Sequence, residues 1–397
     1  MSPSHAHNQL RIVRGLWTRL HPIDRATPAR LQTLLADRRF GGRDRRLYRE
    51  LLLTALRHAR VLPSPETINA DESAALVWAA ILARACAATR ETEAFRAAFD
   101  DSANVADSAA VPATAAPLAL MPEWFADECE TGLPVADTAA ALLARAPLWV
   151  RLQTDSPAKV LAEWRSLGWS AEAHPSLAHA FKLPPETKVT ACPLYQAGHY
   201  EVQDAGSQRI LADLLAAHPS PGPRWFDACA GAGGKTLQLA RLLGPSARID
   251  AADPRAAALA ELRARATRAG LAPRIRALAS PSDAARDYDG VLVDAPCTGS
   301  GTWRRAPHLM ACATRADLNA AAELQSAILA DASSRVRPGG LLVYATCSIA
   351  RTENRLVAEA FLAAHGQDFQ PASPTRPIAP GVEDNDGFYV ATFRRNS

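Results

Sequence analysis

The stretch WFDACAGAGGKTLQLARLL, residues 225–243, reads as a short strand, a glycine-rich turn and a helix. The unit repeats on its C-terminal side. RIDAAD (248–253) has strand composition, and RAAALAELRARATRAG (255–270) follows as a helix. In that helix Leu259, Leu262 and Ala266 fall on one stripe, and Gly270 suits a C-terminal cap. GVLVD (290–294) is a further strand, and LLVYAT (341–346) is another after the turn Pro338-Gly339-Gly340. Alternation of this kind predicts an α/β domain with a doubly wound, mainly parallel sheet. Such sheets bind ligands at the carboxyl ends of their strands.

The residues at those ends bear chemistry. The first turn runs Asp227, Ala228, Cys229, Ala230, Gly231, Ala232, Gly233, Gly234, Lys235. Glycines let the chain turn tightly and let a ligand approach its backbone. The spacing is not that of a phosphate loop, and it falls short of the full dinucleotide fingerprint. Asp253 stands 22 residues after Gly231, at the end of the second strand, where a carboxylate can hold two ribose hydroxyls. Glycines plus acid fit any nucleoside-bearing cofactor, a nicotinamide included.

The next motif narrows the choice. The GVLVD strand ends in Asp294-Ala295-Pro296-Cys297, and fifty residues later another ends in Thr346-Cys347-Ser348. In a parallel sheet both thiols reach one rim. Two free cysteines with an acid beside one fit covalent catalysis on a pyrimidine. Carbon 5 of cytosine is a poor nucleophile until a thiolate adds to carbon 6 and makes the ring an enamine. The attacking thiol must be partly ionised, and a second thiol can assist release as a base. Residue types alone do not say which cysteine attacks.

DACAGAGGKT, DAPCTGSGTWRR, RPGGLLVYATCSIARTEN, the earlier GHYEVQDAGSQ and the closing DGFYVATFRR together resemble the Sun/Nop family of RNA cytosine-5 methyltransferases, in order and spacing, over roughly residues 145–397. The resemblance implies a Rossmann-like methyltransferase domain that uses S-adenosylmethionine, with Cys347 as nucleophile and Cys297 helping release. It implies that Asp294 hydrogen-bonds the cytosine edge and that Lys235 lies close to the base. It gives cofactor binding to the run Asp227 to Lys235, with Asp253 and Asp294. Cys229 is expected to pack beneath the loop. The segment FGGRDRRLYRELLLTALRH is similar to the helical, RNA-binding NusB-like domain of some bacterial members.

Three departures stand out. The family loop commonly reads Ala-Pro-Gly-Gly-Lys, where Gly231-Ala232-Gly233-Gly234-Lys235 stands here. The acid expected near the adenine falls on Ser280 or Asp283. Ala306-Pro307-His308 replaces the usual Asn-Pro-Asp.

The remaining sequence agrees with this reading. A chain of 397 residues suggests two or three domains. The division expected is a helical NusB-like domain at 1–140, a small α/β linking subdomain at 141–205 and the methyltransferase domain at 206–397. Residues 101–120, small and alanine-rich, read as a linker. Net charge is only +3, yet residues 1–60 hold thirteen arginines against four acids, and acids dominate the stretch that follows. Arg46, Arg49, Arg57 and Arg60 fall on one helical face that can meet phosphate, or simply be solvated. Trp303, Arg304 and Arg305 divide in the same way between base stacking and plain packing.

The seven cysteines are scattered without a C-x-x-C pair, and the ten histidines lack ligand spacing, so no disulfide framework or metal site is expected. No apolar run suits a bilayer or a secretory leader. The expectation is a cytoplasmic enzyme acting on RNA, ribosomal RNA above all. The competing classes are a non-catalytic RNA-binding assembly factor and a DNA cytosine methyltransferase. Intact cysteines oppose the first. The Thr-Cys cysteine and the lack of a large insertion after the Pro-Cys motif oppose the second.

Overall fold

The computed structural model describes residues 3–100 and 116–397. Most of the expected linker at 101–120 lies outside the described residues. The chain forms two compact units. One comprises residues 1–126, 135–143 and 305–314, and the other residues 127–134, 144–304 and 315–397.

The first unit is helical. It contains α1 (Pro3–Leu20), α2 (Thr27–Leu35), α3 (Gly42–His58), α4 (Pro65–Ala70), α5 (Glu72–Ala85) and α6 (Glu93–Phe99). The short α7 (Phe125–Glu128) is followed by α8 (Val135–Leu143). Leu10, Val13 and Trp17 of α1 share a core with Leu47, Leu51 and Ala55 of α3 and with Trp78 and Leu82 of α5. Helix α2 stops at Leu35. There Asp37 takes the backbone N–H and the guanidinium of Arg39, a local turn that competes with the helix. Arg60 lies past the end of α3 and not on its face. Its guanidinium donates to the carbonyls of Met310 and Ala313, at the end of α14 (Pro307–Cys312). Arg46 is held by Glu91 at 2.8 Å.

The second unit carries two sheets. Strands β1 (Leu148–Leu152), β2 (Glu172–Ala173), β3 (Ala180–Leu183) and β4 (Tyr200–Val202) form an antiparallel sheet in the order β2-β3-β1-β4. Trp164 of α9 (Pro157–Ser166) packs with Val150, Leu152 and Tyr200 against it. The short α10 (Pro193–Gln196) precedes β4.

The larger sheet holds β5 (Arg224–Asp227), β6 (Arg248–Ala251), β7 (Ile275–Ala277), β8 (Tyr288–Asp294), β9 (Val336–Thr346), β10 (Phe369–Ile378) and β11 (Phe388–Arg395). Its order is β10-β11-β9-β8-β5-β6-β7. The five strands from β9 to β7 run parallel, and β11 and β10 join antiparallel at the β9 edge. The helices between them are α11 (Ala205–Ala217), α12 (Gly234–Leu242), α13 (Ala256–Arg268), α15 (Arg315–Ser333) and α16 (Arg355–His365).

Side chains alternate across the sheet as a period of two demands. Trp225, Leu292, Val343 and Val390 pack with Ile210, Leu237 and Ala266 on one face. Phe226, Val291, Val293, Tyr344 and Phe393 pack with Leu329, Val357 and Phe361 on the other. The turn expected at Pro338-Gly339-Gly340 lies inside β9 as an irregularity. Tyr288 pairs with Val336 but Gly290 with Leu341, and Gly339 takes φ +73° to absorb the extra residues.

Gly290 itself is required by its neighbour, because a Cβ there would lie 2.4 Å from the Trp225 ring. Gly290→Ala is therefore expected to lose about 1–3 kcal/mol of stability through overpacking. Denaturant melts of the two proteins at one pH check this.

Candidate active site

In a doubly wound sheet the binding crevice opens where strand order reverses. Here β6 and β7 extend from one side of β5, while β8 and β9 extend from the other. The glycine turn leaves β5 and the Asp294 loop leaves β8, so both flank that reversal.

The turn is shaped by three constraints. Gly231 and Gly233 have φ of +53° and +87°, the left-handed region that suits glycine. A Cβ on Gly233 would lie 2.9 Å from Leu262, so the loop rests directly on α13. Gly231 N–H donates to Asp253 at 2.9 Å, tying the turn to the acid after β6. Gly231 and Gly233 thus satisfy this loop's backbone, and the departure from the family spelling leaves it intact.

A clamp from outside the turn holds it as well. Arg265 of α13 donates to the Ala232 carbonyl at 2.7 Å, and its other nitrogen is held at 2.9 Å by Glu201 of β4. Glu201 is buried and also binds Arg268. Sequence reading missed both Arg265 and Glu201. Their signal is faint, since an arginine on a helix and an acid on a strand are ordinary until the fold brings them together.

Asp227 lies beneath the turn, almost wholly buried. Thr236 donates to one of its oxygens at 2.7 Å, and the other is buried without a hydrogen-bond partner. Burial pushes its carboxyl up to about 7, against the opposing Thr236 bond. Asp253 is mostly buried and is met by Arg255, whose side chain is 71% exposed. Burial works against its charge, but the Arg255 contacts prevail and hold its carboxyl below the usual range. Ala228 and Ala230 are buried in the turn, Ala232 and Gly234 are half-buried, and Cys229 packs at the edge of the Phe226 core. Burial raises the Cys229 thiol far above its ordinary value, which disfavours its thiolate.

Open space next to Gly234, an orphaned buried acceptor on Asp227 and a carboxylate held by Gly231 N–H beneath a largely exposed arginine form a set that a nucleoside can use. Asp283 and Ser280, the two positions expected near the adenine, are exposed or half-buried and bond to each other. The Asp283 carboxylate accepts from Ser280 N–H at 3.0 Å in a local capping box, and the Ser280 hydroxyl accepts from Ser282.

The expected catalytic set converges. Lys235 is buried at the start of α12 with its ammonium 2.8 Å from Asp294. Burial pulls the ammonium down, but Asp294 overrides this and leaves it above its ordinary value. Cys297 and Cys347 lie with their sulfurs 3.2 Å apart, unbonded, and both are half-buried. Contact with Cys347 and burial push the Cys297 thiol well above its ordinary range.

Both loops are fixed from behind. Gly301 N–H donates to the Cys347 carbonyl at 2.9 Å, and the Ser300 and Ser348 hydroxyls are 2.8 Å apart. The segment 127–134 closes over the second loop. Glu130 N–H donates to Ile349, Arg351 N–H donates to Glu128, and Cys129 bridges to Ala350. Glu128 also accepts from the Thr352 hydroxyl at 2.7 Å.

The ambiguous Trp-Arg-Arg motif resolves toward packing in its first two members. Trp303 is buried, and Arg304 is buried against the carbonyls of Arg145 and Asn385 and the carboxylate of Asp384. Arg305 is exposed. Asp204 caps α11 through Gly206 N–H, as a helix start predicts. Among the described residues no group of histidines, cysteines and acids could hold a metal, and no helix is long and apolar enough to cross a membrane.

A family model described as 16S rRNA methyltransferase RsmB/F matches residues 214–394. The chain is 34% identical over 271 residues to the ribosomal RNA small subunit methyltransferase B of Xanthomonas campestris pv. campestris, a match that takes in 64% of this chain and 61% of that one. It is 32% identical over 295 residues to the protein of the same name from Klebsiella pneumoniae, taking in 70% of this chain and 67% of that one. Among solved structures, a methyltransferase homolog from Pyrococcus horikoshii is 26% identical with a TM-score of 0.56, over 66% of this chain and 90% of that one. The structure of PH0851 follows the same fold over 99% of both chains, with a TM-score of 0.74 at 20% identity.

Asp227 gives the site a pH signature. Its folded value of about 7 lies above the unfolded one, so its favourable contribution is complete only below about pH 3.9 and is lost as pH rises through 7. Asp227→Asn removes that titration. The variant is expected to gain on the wild type between about pH 4 and pH 7, by at most about 1.4 kcal/mol per unit. Unfolding midpoints at several pH values check this, and a constant difference would contradict it.

Proposed function

This chain belongs to the RsmB/F family of methyltransferases, and we propose that it transfers a methyl group from S-adenosylmethionine to carbon 5 of a cytosine in ribosomal RNA. The observation that carries this reading is the pair of unbonded thiols, 3.2 Å apart, on the rim that also holds Lys235 and Asp294. A buried structural role does not call for two half-exposed sulfurs in contact. Relatives named for ribosomal RNA of the small subunit support the substrate class.

The cofactor, when bound, supplies an electrophilic methyl group on a sulfonium. Asp253 would hold its ribose hydroxyls, and the run from Asp227 through Ala228, Cys229, Ala230, Gly231, Ala232, Gly233 and Gly234 to Lys235 would wrap it. Cys347 is the nucleophile in this reading. Its thiolate adds to carbon 6 of the flipped base and pushes the ring electrons toward carbon 5. Asp294 hydrogen-bonds the base edge, and Lys235 orients Asp294. For release, the carbon 5 proton must leave, and the carbon 6–sulfur bond must break with its electron pair returning to Cys347. Solvent water takes up that proton, and Cys297, in contact with the departing sulfur, assists release by donating its S–H to the Cys347 thiolate as it leaves.

The division into a NusB-like domain (1–140), a linking subdomain (141–205) and a methyltransferase domain (206–397) belongs to the same proposal. The helical unit would bind RNA through exposed Arg38, Arg43, Arg45 and Arg49. This set replaces the face first expected, since Arg46 pairs with Glu91 and Arg60 turns to carbonyls. Arg57 is half-buried. A cytoplasmic location fits an enzyme of ribosomal RNA.

Two experiments test the reading. Wild type, Cys297→Ala and Cys347→Ala are each incubated with S-adenosylmethionine and RNA from cells lacking the protein. Denaturing gels should show a covalent RNA adduct that accumulates with Cys297→Ala and is absent with Cys347→Ala. The reverse pattern exchanges the two roles, and no adduct with no methyl transfer refutes the function. Separately, Arg265→Ala should weaken binding of S-adenosylhomocysteine about tenfold, the value of one charged hydrogen bond. Calorimetric titration reads this, and unchanged affinity would show that the clamp on Ala232 does not shape the cofactor loop.

A further inference from the structure

Glu353 lies six residues beyond Cys347 and is fully buried. Its carboxylate gathers four donors. One oxygen accepts from the Thr298 backbone N–H at 2.8 Å and from Gln325 at 3.0 Å. The other accepts from the hydroxyls of Thr298 and Ser348, each at 2.6 Å. Thr298 follows Cys297, and Ser348 follows Cys347. A single side chain therefore grips the residue next to each thiol.

The surroundings are built for this grip. The Gln325 amide that meets Glu353 also donates to the Pro296 carbonyl at 3.0 Å, on the other side of Cys297. The Tyr344 hydroxyl holds the Gln325 oxygen at 3.1 Å, which sets the amide's orientation. Four donors facing one carboxyl group favour its ionised form, against burial, which pushes its carboxyl upward. Among the described ion pairs no cation meets Glu353, so its charge is stabilised by hydrogen bonds alone. Burial of an unpaired charge is costly, and packing alone would be better served by an apolar residue.

We propose that Glu353 is a positioning residue for the reaction: its carboxylate fixes the Cys297 and Cys347 loops against each other, so that the two thiols meet and differ. The inference rests on the methyl-transfer reading above. The difference between the thiols follows from unequal attachment, because the carboxylate makes two bonds to Thr298 on the Cys297 side and one to Ser348 on the Cys347 side. That charge acts with burial and the Cys347 contact to keep the proton on Cys297. Glutamine at 353 has one acceptor and a donor of its own, so it cannot serve the same four partners.

The test uses the full chain and four variants: Glu353→Gln, Glu353→Ala, Thr298→Val and Ser348→Ala. Iodoacetamide labelling of Cys297 and Cys347, followed by peptide mass spectrometry between about pH 6 and pH 9, reads the thiols directly. Titration with S-adenosylhomocysteine and methyl transfer to ribosomal RNA complete the set. Glu353→Gln should keep its affinity for S-adenosylhomocysteine and lose kcat about a hundredfold, with KM little changed. Labelling of Cys297 relative to Cys347 should rise severalfold. Thr298→Val and Ser348→Ala should fall between wild type and Glu353→Gln, and they decide the question if the Glu353 variants do not fold. Unchanged kcat and labelling would overturn the proposal. Equal losses of cofactor affinity and turnover would also overturn it, in favour of a general scaffold role. If the wild type methylates no RNA, the function proposed above fails, while the labelling pattern still reports on Glu353.

Discussion

Parallel pairing of β8 with β9 is the constraint on which the site depends. Asp294 pairs with Ala345 at the carboxyl ends of the two strands. The loop of Cys297 and the loop of Cys347 therefore start side by side, although fifty residues separate them. A slip of one residue would turn every side chain of β9 to the other face of the sheet and bury the wrong set. The register is protected by what each face must hide: Leu342 and Tyr344 toward one layer of helices, Leu341 and Val343 toward the other. Chemistry on the rim is thus a consequence of packing in the middle.

Much of this was legible in the sequence because the informative features are local. A strand that ends in Asp-Ala-Pro-Cys states its own position, and a glycine run between strand and helix states its turn. The parallel arrangement then brings the ends together without any further signal. Other features were not legible. Glu353, Glu201 and Arg265 act through partners far along the chain, and nothing near them distinguishes them from solvated charges. Arg304 was read evenly between RNA contact and packing. Its three acceptors come from residues 145, 384 and 385, which only the fold assembles. The break at Gly339 looked like a turn because glycines usually make one, yet the strand continues through it.

The unit that holds the site spends much buried polarity on alignment. Arg151 is buried and reaches Gln203 at 2.6 Å, Gln203 reaches Gln238, and Gln238 reaches the Gln208 carbonyl of α11. This chain of bonds runs from the small sheet to the helix after the glycine turn. Burial lowers the Arg151 guanidinium to about 10, with Glu201 opposing the shift. Groups of this kind add little net stability compared with apolar packing, but each accepts only one geometry. Their concentration under the glycine turn and behind the cysteine loops matches a requirement for placement within fractions of an ångström.

The short segment 127–134 carries a different lesson, about where such a protein can be divided. It precedes the large sheet by some hundred residues, yet Glu128 and Glu130 supply acceptors to Arg315, Thr352 and Arg355 and edge the loop that begins at Cys347. A chain trimmed to begin at residue 206 would keep the glycine turn and both cysteine motifs. It would also strand several backbone and guanidinium donors beside the loop of Cys347. Inheritance of this chemistry by another protein therefore requires more than the stretch that carries its recognisable residues.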